Sequence, residues 1–124
     1  MKKVSAVLII SFIVFSCKKN GSGGSAELTA YPQHHGKAIK GCTVYVKFGA
    51  SDLLADPTNN YNLKIDGNSK EDHVHIKNLL YGKYYLYAVG YDSSIMAPVT
   101  GGIAAKIKYS QRKKETEINI AVPE

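Results

Sequence analysis

From Glu27 onward apolar and polar residues alternate, a period of two that puts successive side chains on opposite faces of an extended strand. The clearest run is Cys42–Phe48, where Cys42, Val44, Val46 and Phe48 alternate with Thr43, Tyr45 and Lys47. The alternation breaks at Gly, Pro, Asn and Asp, and no window of a dozen residues sustains a helical repeat. The breaks predict strands over Glu27–Tyr31 (ended by Pro32), Cys42–Phe48, Tyr61–Asp66, His73–Lys77, Lys83–Asp92, Ile103–Tyr109 and Glu115–Val122. His34–Gly41 is expected as a connection and Gly49–Asn60 as a loop, and a polar hairpin over Ser110–Lys114 should join the last two strands. About seven short strands at this spacing predict one all-β domain over 27–124, a two-sheet sandwich.

Ahead of that domain the pattern changes. Lys2 and Lys3 precede Val4–Phe15, an unbroken apolar run apart from two serines that extends for 12 residues. A bilayer-spanning helix needs about 20. The run therefore reads as the core of an export signal over residues 1–16. Val14-Phe15-Ser16-Cys17 then resembles the lipobox of bacterial lipoproteins, in which a small residue precedes a cysteine that is acylated on sulfur before cleavage. The resemblance implies a lipid anchor at Cys17, with Phe15 a departure from the usual small middle residue. The alternative is an ordinary signal peptide, which leaves Cys17 free to pair with Cys42 in an oxidising compartment. Residues 17–26 are rich in Gly and Ser and are expected to form a flexible tether.

The stretch Leu79-Leu80-Tyr81-Gly82-Lys83-Tyr84-Tyr85-Leu86-Tyr87-Ala88-Val89-Gly90-Tyr91 resembles a signature of carboxypeptidase-regulatory-like and transthyretin-like (prealbumin-like) domains, with Leu79, Gly82, Tyr84, Leu86, Ala88, Gly90 and Tyr91 at matching positions. Gly36–Val46 resembles the start of the same domains, with Ala38 in place of a proline and Cys42 in place of an alanine. The resemblance implies a Greek-key sandwich in which Gly82 makes a tight turn and the Tyr84 hydroxyl bonds upstream backbone. The Ser-Cys-Lys-Lys start, the His-His-Gly segment and the Gly-Gly-Ile run are also similar to small lipoproteins of Bacteroidetes. That similarity implies an outer-membrane address, periplasmic or surface facing. Lys18-Lys19 departs from the acidic residues that often follow the cysteine of surface-exported lipoproteins, which favours the periplasmic side.

Charge narrows the partners. The chain carries 16 basic and 10 acidic residues; without Lys2 and Lys3 the excess is 14 over 10, or +4. That excess is mild and scattered, except for Arg112-Lys113-Lys114 among turn-forming residues, and nucleic acid is not expected as a partner. The expected partners are the membrane, through the anchor, and an envelope protein or a glycan.

Three groups of residues could carry chemistry. His34-His35 and His73-Val74-His75 contain all four histidines, and residues 73 and 75 share a face of their strand. The four are candidate metal ligands, with Asp72 as a further donor. Tyr85, Tyr87 and Tyr91 should line the face of their strand opposite Tyr84, Leu86 and Ala88, where aromatic rings could stack on sugar or dock a partner. No catalytic residue is expected. The chain has no Gly-x-Ser-x-Gly, Cys42 is expected to be buried, and Gly101-Gly102 precedes no helix whose amides could hold phosphate. The reading is a non-enzymatic lipoprotein without cofactor, with metal binding or carbohydrate binding as the alternatives.

Overall fold

The computed structural model describes residues 20–52 and 55–124; Cys17, Lys18, Lys19 and the expected export signal lie outside them. Eight strands form two four-stranded sheets: β1 (Ser22–His34), β2 (Lys37–Ala38), β3 (Thr43–Phe48), β4 (Leu63–Asp66), β5 (Val74–Leu79), β6 (Gly82–Asp92), β7 (Ala97–Ile107) and β8 (Glu115–Ala121). The all-β sandwich is as expected. No helix among the described residues is long and apolar enough to cross a membrane.

One sheet has the order β4-β3-β6-β7, all antiparallel. The other is built around β1. Residues 28–30 of β1 pair with β5 on one edge and with β8 on the other, and β2 continues the β5 edge at Gln33↔Ala38. The β1–β8 pairing is parallel. Inward side chains of both sheets make the core: Leu28 and Ala30 of β1, Val44 and Val46 of β3, Ile76 of β5, Tyr84, Leu86 and Ala88 of β6, and Ile120 of β8 are all nearly or fully buried. Cys42 is buried with them, as the alternation predicts.

The strand expected over Ile103–Tyr109 instead runs Ala97–Ile107, starting six residues earlier because the whole of β6 pairs with it, and four other local expectations change. First, β1 is longer than Glu27–Tyr31 and takes in residues 22–26 of the expected tether. The backbone explains this: the Asn20 amide donates to Tyr81 O (2.7 Å), and the Gly21 amide donates to the Tyr84 hydroxyl (2.8 Å), which also reaches Leu80 O at 2.5 Å. Gly82 permits the approach, because a Cβ there would lie 2.7 Å from the Asn20 nitrogen.

Second, Pro32 does not end the strand. On the edge shared by β5 and β2 its carbonyl accepts from Ile39 N at 3.0 Å, one step beyond Gln33↔Ala38, so the missing N–H costs only the reciprocal bond where pairing passes from β5 to β2, and β1 stays paired with β8 through Pro32↔Ile120. Third, the expected connection over residues 34–41 begins as a hairpin between β1 and β2. His35 (φ 50°) and Gly36 (φ 76°) occupy its two central positions, both left-handed, as a type I′ turn requires. Fourth, Ser110–Lys114 is not a hairpin. After a short 3₁₀ turn at Tyr109–Gln111 the chain crosses to the other sheet and pairs with β1.

Candidate functional site

The tyrosines of β6 alternate as expected: Tyr84 is buried, Tyr85 and Tyr87 face outward and are half-buried, and Tyr91 is 54 % exposed. What half-buries Tyr85 and Tyr87 is the loop between β3 and β4. Pro57, Asn60 and Tyr61 pack over Tyr45, Tyr85 and Tyr87, with the Tyr45 and Tyr61 rings edge to face at 5.0 Å, and the space left is about 10 Å³. That is room for a single water at most. A sugar ring would have to displace the loop. Burial pushes the Tyr85 phenol above its ordinary pKa. The ring also lies over Gly102 of β7, where a Cβ would meet the Tyr85 oxygen at 2.5 Å. The space Tyr85 needs thus accounts for a glycine in the middle of β7.

The histidines fall into two separate places. His75 pairs with Thr29, five residues before His34 on β1, so at about 3.3 Å per residue the two histidines stand roughly 16 Å apart along the sheet. His73 and His75 share a face, with ring centroids 4.7 Å apart. Both have nearby carboxylates. His73 Nδ1 lies 2.8 Å from Asp72, which raises the His73 pKa and lowers that of Asp72, and His75 Nδ1 lies 2.8 Å from Glu27. Thr29 beneath them donates to Glu115 at 2.6 Å. Each of the two histidines is thus taken up by carboxylates of its own surroundings, Asp72 and Glu71 for His73 and Glu27 for His75.

His34 is different. It is the last residue of β1, 4 % exposed, and its Nδ1 is 2.9 Å from Asp92 Oδ2 at the end of β6. Asp92 is also buried, and its other oxygen accepts from the Ser94 amide (2.9 Å) and hydroxyl (2.6 Å), with Lys37 Nζ at 3.9 Å. The Ser94 and His34 hydrogen bonds hold the Asp92 carboxyl well below the usual carboxylate range, so it is ionised and can only accept. The ring nitrogen facing Asp92, Nδ1, therefore carries a proton, and in that tautomer of the ring Nε2 is the nitrogen with the lone pair.

That Nε2 is buried and has no hydrogen-bond partner among the described residues. It is directed toward Glu124 Oε1, 3.7 Å away. His35, in the left-handed turn position, holds its ring centroid 4.3 Å from that of His34, the two planes tilted by 44°. Donor atoms of His34, His35 and Glu124 all lie within 4.8 Å of one another, and among the described residues no other group of three or more potential metal ligands is this close. An open cleft of about 510 Å³ borders the pair, walled by Ile103 of β7 and Ile120 of β8.

Sequence reasoning singled out His34 and His35 but missed Asp92 and Glu124. Asp92 lies 58 positions from His34, and nothing local connects them. Asp92, Ser93 and Ser94 are turn-forming residue types, and the Ser94 amide and hydroxyl donating back to the Asp92 carboxylate make that turn. No protein-family model, no curated protein and no solved structure matches this chain.

Proposed function

We propose that this chain is a lipoprotein of the bacterial outer membrane, anchored through an acylated Cys17, whose prealbumin-like sandwich is a non-enzymatic binding module held against the bilayer by one end. The observation that carries this reading is the position of Asn20. It is bonded to Tyr81 in the body of the sandwich only three residues after Cys17, so the anchor has at most about 11 Å of chain to span.

The surface around Asn20 suits that place. Lys83, Lys106, Lys108, Arg112 and Lys113 line two adjoining clefts there with Tyr81 and Tyr109, and among the described residues no acidic one lines either cleft. Lys83 and Lys106 stand directly opposite each other on β6 and β7, a like-charge pairing that disfavours the sheet by itself and that anionic headgroups would relieve. Tyrosine and basic residues together suit a membrane interface.

The state of two candidate nucleophiles among the described residues, Cys42 and Ser94, supports a non-enzymatic role. Burial pushes the Cys42 thiol up to about 11, and the Ser94 hydroxyl is engaged with the ionised Asp92. The test is the intact mass of protein extracted from membranes. The expected result is a chain beginning at an acylated Cys17, with Cys17→Ser moving the protein to the soluble fraction. An unmodified Cys17, or a Cys17–Cys42 bridge, overturns the reading.

A further inference from the structure

We propose that His34 Nε2, His35 and Glu124 bind one divalent transition ion of borderline softness, Zn²⁺ or an ion of similar preference, at the pole of the sandwich farthest from Asn20. The donor set is of the right kind: two imidazoles and a carboxylate suit zinc, copper or nickel, whereas calcium and magnesium take oxygen donors alone.

Geometry supports the set. Zinc bonds of about 2.1 Å in a tetrahedron bring donors about 3.4 Å apart. The present separation of His34 Nε2 and Glu124 Oε1 is 3.7 Å, and all three donors lie within 4.8 Å. The remaining closure falls to His35 and Glu124, which are exposed, while His34 is buried and held by Asp92.

A second observation is independent of this clustering. A buried imidazole nitrogen without a hydrogen-bond partner is costly, on the order of 1–3 kcal/mol, and folded proteins seldom leave one. His34 carries such a nitrogen, aimed at Glu124. The opposite ring nitrogen is held by Asp92, itself fixed by Ser94. A carboxylate behind an imidazole is the arrangement that fixes the tautomer and orientation of metal-bound histidines and makes the free nitrogen a better donor. Three protein ligands leave a fourth position for water or for a group supplied from the adjoining cleft.

The experiment is a titration of the full chain in detergent, stripped with chelator, with ZnCl₂ against a chromophoric zinc indicator. The expected result is one ion per chain. His35→Ala and Glu124→Gln, both at exposed positions, should each weaken binding at least tenfold, while the double variant His73→Ala/His75→Ala keeps the parent affinity. Cobalt in place of zinc should give the visible absorption of a tetrahedral site, lost in Glu124→Gln. No stoichiometric uptake at micromolar free zinc, parent affinity in either single variant, or loss of binding in the double variant overturns the proposal. None of these readouts depends on whether Cys17 is acylated.

Discussion

Cys42 illustrates how far one residue's chemistry follows from the strand pattern. The alternation of Cys42, Val44 and Val46 puts the thiol on the inward face, and burial pushes its pKa from 9.0 to about 11. Its sulfur fills the space where Gly90 lacks a side chain, since a Cβ on Gly90 would come 2.4 Å from it. A group whose folded pKa lies above its unfolded value contributes stability that is fully present below the unfolded value and lost as pH rises through the folded one. Between about pH 9 and 11 the unfolded thiol ionises while the folded one does not. The parent protein should therefore lose on the order of 2 kcal/mol relative to Cys42→Ala across that window. Denaturant melts of both proteins at pH 8, 9, 10 and 11 measure it, and a constant difference between them would show that burial does not control the thiol.

Strands with one wet face were the legible elements, because burial of every second residue is written directly into β3 and β6. What escaped the sequence was set by partners distant along the chain. Ser22–Ala26 has the composition of a linker, and it enters the sheet because Tyr84, 63 positions from Gly21, supplies a hydroxyl to the Gly21 amide. The link between β7 and β8 has hairpin chemistry, and it becomes a crossover because β8 finds its parallel partner in β1. The candidate site divides the same way: His34-His35 was visible as a pair, while Asp92 and Glu124 joined it only through the approach of β6 and β8 to the end of β1. The start of β1 should accordingly depend on one oxygen. Tyr84→Phe leaves the buried Gly21 amide without its acceptor, at a cost of about 1–3 kcal/mol. Amide exchange should speed up at Asn20 and Gly21 well before it does in β6. Uniform acceleration across the domain would mean that the hydroxyl holds the core rather than the strand end.

At the scale of the whole molecule the two poles of β6 differ in chemistry. Gly82, at one end, touches Asn20 and the basic, tyrosine-bearing surface; Asp92, roughly 33 Å away at about 3.3 Å per residue, holds His34. With the proposed anchor at Cys17, three residues before Asn20, the first pole would lie close to the bilayer, where screening over about 8 Å leaves headgroup charge effective. In that arrangement the histidine pole would face outward, where a soluble ion reaches it without crossing the headgroups. The chain has no tryptophan, so a single one introduced at either pole reports its depth without background. Tyr109, 60 % exposed with the Arg112 guanidinium 4.0 Å above its ring, marks the near pole, and Tyr91 the far one. In vesicles containing the acylated protein and brominated lipid, Tyr109→Trp should be strongly quenched and Tyr91→Trp should not. Neutral lipid, or Lys83→Glu/Lys106→Glu/Arg112→Glu/Lys113→Glu in anionic lipid, should reduce the near-pole quenching while leaving the protein membrane-bound, because the charges orient the domain and the acyl chains retain it. Equal quenching at the two positions would mean that the domain tumbles on its anchor, and stronger quenching at residue 91 would turn the histidine pole toward the membrane.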